Sequence, residues 1–241
     1  MISILPLPLA GEIVAGADLA ALILDAAPPL ETGDVVVVAH KAVAKAEGRV
    51  VDLATVEPSA EALEIAGDES DPRAIEVVLR ESRRIVRRRG ALIIAETHHG
   101  FICASAGVDR SNAPDDHAVL LPVDPDGSAA GLRAELERAS GTRIAVIVAD
   151  TMGRPLRNGI VGTAIGVSGM APLRDLRGDA DAGGYVLRST TVAIADELAA
   201  AADLVLGKLE RVPAALIRGY RAGGDGHARE LIRPRERDLF I

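Results

Sequence analysis

Two acidic residues stand where an apolar run of the sequence gives way to a polar turn. The segment HHGFICASAGVDRSN ends in three side chains with oxygen or amide groups, Asp109, Ser111 and Asn112. The segment IAVIVADTMGRPLRNG carries the strongest apolar run of the chain, which ends at Asp150 and Thr151. Loops beyond the carboxyl ends of buried strands are common ligand sites. Carboxylates and a hydroxyl, without a matching set of Cys or His, suit a hard cation such as Mg²⁺ or Mn²⁺ that bridges phosphate oxygens.

Each aspartate taken alone is a weak indicator, because Asp after a strand is more often a turn former or a helix cap. Nearby cations strengthen the case. Arg154 and Arg157 follow the second acidic site, and Lys41 and Lys45 lie in HKAVAKAEGR after another apolar run. The lysines could contact phosphate as point charges. From composition alone, a solvated amphipathic turn accounts for HKAVAKAEGR slightly better.

Short apolar runs alternate with helical patterns, which predicts a mixed α and β fold. The clearest strands are Val35 to Ala39, Ala91 to Ala95 and Ile144 to Ala149. Their nearly continuous apolar character is typical of strands buried on both faces. Helices are predicted from Ser128 to Ser140 and from about Val192 to Leu206, each followed by glycine. The stretch from Arg174 to Gly184 is predicted to be a long loop.

A further helix is predicted to begin after Asp71, which is a good N-cap and is followed by Pro72. Apolar residues at spacings of three and four continue its pattern through Ile85 and Val86. The pattern ends in a cluster of arginines, Arg83, Arg84, Arg87, Arg88 and Arg89. An anion site is one interpretation of this cluster, and cations favoured by the dipole at a helix C-terminus are the simpler one.

The bulk properties exclude several classes of protein. The chain has 241 residues and a net charge of −8, which argues against a nucleic-acid partner. Cys103 is the single cysteine, so an internal disulfide is impossible, and a small buried side chain is the expected role. The N-terminal apolar run lacks a basic leader and is too short to span a bilayer. We therefore expect a cytoplasmic protein without an export signal or transmembrane helix.

Several familiar sites are missing from the sequence. No GxxxxGK[ST] loop, GxGxxG turn after a strand or GxSxG elbow occurs, which removes the support for a P-loop, a Rossmann dinucleotide site and a serine hydrolase. His98 and His99 lack a third ligand at zinc spacing, and adjacent residues on a strand point to opposite faces. Zinc ligation by this pair is not predicted.

Six segments together resemble the coenzyme F(420):L-glutamate ligase family, in matching order along nearly the whole chain. They are KAEGR, HGFICASAGVDRSN, LLPVDPDGSA, VADTMGRPLRNG, DELAAAA and LIRG. The resemblance implies an α+β (mixed α/β) fold of two interlocked lobes with mixed sheets, residues 1–241 forming a single catalytic unit without a fused reductase domain, and a homodimer. It also implies a GTP-dependent ligase that uses Mg²⁺ or Mn²⁺, with K⁺ as a further candidate cation. The substrates would be L-glutamate and a deazaflavin coenzyme precursor, joined through an acyl phosphate and then extended by γ-linked glutamates.

The resemblance also assigns roles to individual residues. The metal ligands would be Asp109, Asp150 and Thr151, and the two aspartates with Arg154 and Arg157 would form the catalytic set. Nucleotide contacts would come from Ala10, Gly11, Glu12, Ile13, His40, Lys41, Lys45, Asn112, Leu206, Gly207 and Lys208. The arginines would bind phosphate or an acidic substrate.

The chain departs from the family pattern at Gly11, where proline is common, and at Ala44, Ser105, Ile160 and Tyr185. The last four predict a changed pocket rim. Two rival functions stay open, a diverged amide ligase acting on another acid or amine and a nucleotide-binding homologue without catalysis. Two unpaired carboxylates would repel each other unless a cation lay between them, which favours catalysis over the second rival.

Overall fold

The computed structural model describes residues 1–111, 113–207 and 209–239. The strands are β1 (Ser3–Leu7), β2 (Val35–Ala39), β3 (Val50–Asp52), β4 (Ser82–Arg89), β5 (Leu92–Thr97), β6 (Ile102–Ala104), β7 (His117–Val119), β8 (Ala145–Arg154), β9 (Arg157–Ser168), β10 (Arg174–Asp175), β11 (Thr191–Val192) and β12 (Ala214–Arg218). The α-helices are α1 (Leu19–Ala26), α2 (His40–Ala46), α3 (Ala60–Ala66), α4 (Pro72–Glu81), α5 (Pro125–Ser140) and α6 (Ile194–Leu206). No helix of these described residues is long and apolar enough to cross a membrane.

A five-stranded sheet forms the centre of the fold, in the order β1-β12-β2-β8-β9. The pair β2–β8 is parallel, and the other three pairs are antiparallel. The sheet is therefore mixed, and the predicted mixed α and β fold is confirmed. The interlocked lobes and the homodimer remain predictions.

Both faces of this sheet are buried because the apolar residues of β2 are consecutive. Val36 and Val38 face a core that includes side chains of α1, α2 and α5. Val35 and Val37 face the opposite core, which is built largely on α6. The same division holds along β8. Burial on both faces is what a continuous apolar run predicts, and here it fixes the strand ends that carry the acidic side chains.

A smaller sheet of β4, β5 and β6 packs with α3 and α4. Here the sequence prediction of one long helix after Asp71 is wrong beyond Glu81. Asp71 caps α4 as expected, since its side chain accepts a hydrogen bond from Arg73 N at 2.9 Å. The chain then turns into strand β4, which pairs with β5 and contains two irregularities of register. The arginine cluster therefore lies on an edge strand, and the helix-dipole interpretation does not apply.

The other element predictions hold with shifted ends. The helix predicted from Ser128 begins at Pro125 and ends before Gly141, whose φ is 71°. The helix predicted from Val192 is α6. HKAVAKAEGR forms helix α2, three of whose residues are buried alanine or valine, so the solvated-turn interpretation is wrong. The predicted loop from Arg174 to Gly184 contains only the short strand β10.

Candidate functional site

The candidate site lies at the carboxyl end of the parallel pair β2–β8. Ala39 and Ala149 are register partners in this pair, so His40 and Asp150 follow at the same edge of the sheet. His40 begins α2, whereas Asp150 lies within β8, which continues into a hairpin with β9. Neighbouring parallel strands thus bring together residues that are 110 positions apart. This is the place where open α/β sheets commonly bind ligands.

The consecutive residues His40 and Lys41 each contact one of the two aspartates among the predicted metal ligands. His40 Nε2 lies 3.3 Å from Asp150 Oδ1, and His40 is only 2% exposed. Lys41 Nζ lies 2.7 Å from Asp109 Oδ2. The start of α2 therefore joins the loop that carries Asp109 to the strand that carries Asp150.

Asp109 is held by a local network that favours its ionised form. Its Oδ1 accepts a hydrogen bond from Ser111 N at 2.6 Å. Burial raises the pKa of the Asp109 carboxyl, but the hydrogen bonds from Lys41 and Ser111 outweigh burial, and the pKa lies below its ordinary value. The prediction of two unpaired carboxylates is wrong, since Asp109 pairs with Lys41 and Asp150 contacts His40. Repulsion between bare charges is therefore no argument for a metal here.

A cavity of about 680 Å³ opens beside these residues. Its volume falls within the range of about 300–1,000 Å³ that is typical of small-molecule sites. The lining is drawn from the segment after β1, from the end of β2, from α2, from the segment before β7, from β8 and β9, from α6 and from the segment before β12. The residues are Leu9, Gly11, Glu12, Ile13, Ala39, His40, Lys41, Ala42, Lys45, Ala113, Pro114, Ala149, Asp150, Thr151, Gly162, Ala199, Asp203, Leu206, Gly207, Arg211, Val212 and Pro213.

Most of the predicted nucleotide contacts line this cavity. They are Gly11, Glu12, Ile13, His40, Lys41, Lys45, Leu206 and Gly207, together with the predicted metal ligands Asp150 and Thr151. Ala10 precedes Gly11 in the chain and is not part of the lining. Asp109 is not part of it either, but it is joined to the lining through Lys41. The predicted contacts Asn112 and Lys208 lie outside the described residues.

Arg154 and Arg157 stand apart from the cavity. They are register partners at the closed end of the β8–β9 hairpin, and both are exposed. The four residue steps from Asp150 to Arg154 span about 13 Å of strand at ~3.3 Å per residue. The structure therefore does not bring these arginines to the acidic pair, and their catalytic role stays a prediction.

Sequence reasoning missed the segment just before β12. Arg211, Val212 and Pro213 line the cavity, and Pro213 O accepts a hydrogen bond from Ala39 N at 2.8 Å. Arg211 has a φ of 55°, which is uncommon for a residue with a side chain. No local motif marks this segment; only the antiparallel pairing of β12 with β2 brings it to the site.

The departures from the family pattern lie outside the cavity lining, with one exception. Ala44 is fully buried, Ile160 and Tyr185 are 52% and 63% exposed, and Ser105 is in the turn before Asp109. None of these four residues lines this cavity, and their effect on the rim of a substrate pocket stays a prediction. Gly11 is the exception. Its φ of 77° is closed to proline, so the proline of the family pattern would need a different backbone here.

Cys103 lies beneath the site in the role that the sequence predicted. It is 7% exposed. Burial and the nearby Asp150 carboxylate raise the pKa of the Cys103 thiol to about 12. The thiol is therefore protonated at neutral pH and acts as a small packing group.

The oxygen atoms near Lys41 are of the chemical type that binds a hard cation. In the described ranges, no group of three or more His, Cys, Asp or Glu side chains is arranged to hold a metal. The Lys41 ammonium nevertheless lies among three oxygen atoms, Asp109 Oδ2, Ser111 Oγ and Ser111 O. Oxygen atoms in such a set are the ligands that Mg²⁺ and Mn²⁺ prefer. Asp109, Asp150 and Thr151 would hold such an ion, with Ser111 close by.

Comparison with known proteins gives a consistent result. Residues 9–219 match the profile of a family described as F(420)-0:Gamma-glutamyl ligase. The chain is 47% identical to the coenzyme F(420):L-glutamate ligase of Methanothermobacter thermautotrophicus, over 100% of this chain and 98% of the relative. Proteins of the same name from Methanopyrus kandleri and Methanocaldococcus jannaschii are 47% and 46% identical, over 98% and 88% of this chain and 96% and 86% of the relatives.

Proposed function

The chain belongs to the F(420)-0:gamma-glutamyl ligase family, and we propose that it joins L-glutamate to the carboxylate of the F(420) precursor at the expense of GTP. The prediction of a ligase is confirmed by the family. The observation that carries the rest of the proposal is the cavity at the carboxyl ends of β2 and β8, which combines Lys41, Lys45 and Arg211 with Asp150 and Thr151. Cations beside oxygen ligands suit a triphosphate and its metal ion.

The proposed reaction has two steps. The acceptor carboxylate oxygen forms a bond to the γ-phosphorus while the bond from that phosphorus to the β,γ-bridging oxygen breaks, which gives an acyl phosphate and GDP. The amine of L-glutamate then forms a C–N bond to the acyl carbon, inorganic phosphate leaves and the amine loses a proton. Repetition on the side-chain carboxylate of the added glutamate would extend a γ-linked chain. A bound divalent cation would neutralise charge on the phosphates.

We assign different roles to the residues of this chain according to their positions. Lys41, Lys45 and Arg211 would bind the triphosphate, and the segment Gly11 to Ile13 with Leu206 and Gly207 would enclose the rest of the nucleotide. We assign Arg154 and Arg157 to the acidic acceptor. They lie at the end of the β8–β9 hairpin and do not line the cavity, which suits a substrate that extends along the hairpin.

Mass spectrometry of the reaction products tests the proposal directly. The purified protein is incubated with GTP, Mg²⁺ or Mn²⁺, L-glutamate and the unglutamylated coenzyme, and the products are examined for added glutamates. Omission of GTP, metal or glutamate in turn provides the controls. We expect glutamate addition only in the complete mixture, together with release of GDP and phosphate.

Other outcomes identify the rival functions. GDP release that requires a different acid, without glutamate addition to the coenzyme, would contradict the proposed substrate and support a diverged amide ligase. Binding of GTP without any acid-dependent turnover would support a homologue that does not catalyse. Sedimentation of the same sample would test the homodimer that the family resemblance implies.

A further inference from the structure

The ammonium group of Lys41 is surrounded by oxygen atoms of the kind that bind hard metal cations. Its Nζ lies 2.7 Å from Asp109 Oδ2, and it donates hydrogen bonds to Ser111 Oγ at 2.6 Å and to Ser111 O at 3.2 Å. The carboxylate is further fixed by the bond from Ser111 N. A loop that presents three oxygen atoms to one positive charge is thus complete without any added ion.

We propose that Lys41 is a tethered cation which a divalent metal displaces from Asp109 and Ser111, and which then turns to the phosphates of the nucleotide. The inference rests on the proposed function, because it takes the metal and the triphosphate as ligands of this site. It adds a coupling between metal binding and nucleotide binding that the family assignment does not contain.

The displacement follows from charge and space. The same oxygen atoms cannot hold an ammonium and a divalent ion together, and two cations a few ångströms apart repel strongly outside bulk water. The metal therefore has to compete with Lys41 for the carboxylate of Asp109 and the two oxygen atoms of Ser111.

The displaced Lys41 side chain can turn into the cavity. Lys41 also lines the cavity, and its side chain is 19% exposed. Lysine is a point charge on a flexible four-carbon stem, so the ammonium can leave Asp109 by rotation about side-chain bonds while helix α2 stays in place. A triphosphate in the cavity would offer the ammonium new oxygen partners, which would offset the loss of its contacts to Asp109 and Ser111.

Metal and nucleotide binding should therefore assist each other. The nucleotide draws Lys41 away from Asp109 and so makes metal binding easier, and by linkage the metal makes nucleotide binding tighter. Without nucleotide, the lysine weakens metal binding. Removal of the Lys41 charge should raise the affinity for metal alone. It should reduce the further gain in metal affinity that bound nucleotide provides.

The test measures Mn²⁺ binding to the whole protein by electron paramagnetic resonance, with and without a non-hydrolysable GTP analogue. In Lys41→Met, we expect Mn²⁺ alone to bind about tenfold more tightly than in the wild type, which corresponds to ~1.4 kcal/mol. The additional tightening caused by the analogue should shrink by a similar factor. Lys41→Gln serves as a second variant, and circular dichroism checks that each protein is folded.

Lys45→Met is the matched control, because Lys45 lies on the same helix and lines the same cavity but forms no ion pair with Asp109 in the described residues. Its effect on Mn²⁺ alone should be less than about threefold, the size of a general loss of positive charge near a surface. Equal Mn²⁺ affinity of wild type, Lys41→Met and Lys41→Gln would overturn the inference and leave the proposed function intact. Absence of Mn²⁺ binding to all proteins, even with the analogue, would overturn the proposed metal dependence as well.

Discussion

Asp150 lines the cavity and contacts the buried His40. Its carboxylate is therefore accessible to a ligand, while the protein holds its position. We expect Asp150→Asn to lower metal-dependent turnover by about 100-fold or more. This is the typical loss when one group that stabilises the charge of a transition state is removed. The amide is nearly isosteric, so circular dichroism and the unfolding midpoint should change little. Persistence of metal-dependent turnover in the folded variant would show that Asp150 is not a ligand.

Arg211 offers a second residue-level test, since its backbone is held at positive φ and it lines the cavity. Loss of a charge-assisted contact to phosphate should raise the KM for GTP about tenfold in Arg211→Ala, equivalent to ~1.4 kcal/mol. The stability should not fall, because Arg211 is exposed. Arg188→Ala, which removes an exposed arginine away from the cavity, is the control. An unchanged KM for GTP in Arg211→Ala would remove Arg211 from the nucleotide site.

At this scale the sequence predicted candidate side chains for the chemistry but not which of them pair. Asp109, Asp150 and Thr151 are visible because each follows an apolar run. The contacts Lys41–Asp109 and His40–Asp150 join residues far apart in the chain, and nothing in the local pattern encodes them. Arg211 escaped notice for the same reason, since only the pairing of β12 with β2 brings it to the cavity.

Strand β9 passes between helices at two glycines that admit no side chain. A Cβ on Gly162 would lie 2.5 Å from Ala199 O of α6, and one on Gly166 would lie 2.1 Å from Pro125 O of α5. The obstructing atoms are backbone, so they cannot move without shifting a helix. We expect Gly166→Ala to reduce the free energy of unfolding by about 3 kcal/mol or more, measured by urea denaturation.

Gly131 in α5 is the matched control for this substitution. A Cβ there would meet no atom within 4 Å, and alanine is favoured over glycine in a helix by about 0.5–1 kcal/mol. Gly131→Ala should therefore stabilise the protein slightly. A similar small effect of both substitutions would mean that the approach of α5 to β9 is looser than the structure shows.

Glu76 of α4 links two helices and gives stability a dependence on pH. It accepts a hydrogen bond from Ser59 N, at the N-terminus of α3, at 3.0 Å, and one from Arg80 Nε at 2.8 Å. The hydrogen bonds from Ser59, and then from Arg80, lower the pKa of Glu76 to about 2. A lowered pKa means that the contribution of Glu76 is complete above its ordinary pKa of about 4.5 and is lost as pH falls towards 2.

Glu76→Gln should accordingly be less stable than the wild type by about 1–3 kcal/mol at pH 7, and this difference should shrink between pH 4.5 and pH 2. Urea denaturation at pH 7 and at pH 3 measures both values. Glu135→Gln, at an exposed position of α5, is the control for removal of one carboxylate from a helix. A difference for Glu76→Gln that stayed constant over this range would contradict the lowered pKa.

The elements also show where periodicity misleads. Ile75, Val78 and Leu79 gave the helical spacing of α4 correctly, and Ile85 and Val86 extended it falsely. In the structure Ile85 belongs to β4, opposite Ala95 of β5, so its burial is explained by a strand partner that the sequence window does not contain. Strands β2 and β8 were predictable because burial on both faces leaves a continuous apolar run, which needs no knowledge of the partner.

On the scale of the whole molecule, the cavity is formed by segments that are distant in sequence. Its walls come from the segment after β1, from the end of β2, from α2, from the segment before β7, from β8 and β9, from α6 and from the segment before β12. A ligand that contacts all of them must bind the folded chain far better than the unfolded one. By linkage, a ligand present at 100 times its Kd stabilises the protein by about 2.7 kcal/mol.

We therefore expect GTP with Mn²⁺ to raise the Tm by about 5–11 °C at this saturation, given ~2–4 °C per kcal/mol for a protein of this size. GTP with a chelator should give a smaller rise, because part of the stabilisation requires the metal. Asp150→Asn should lose this metal-dependent part and keep the remainder, which distinguishes a damaged metal site from a damaged fold. Differential scanning fluorimetry on the four combinations of protein and metal measures the shifts. A Tm that GTP and Mn²⁺ leave unchanged would mean that the segments around the cavity do not close on this ligand.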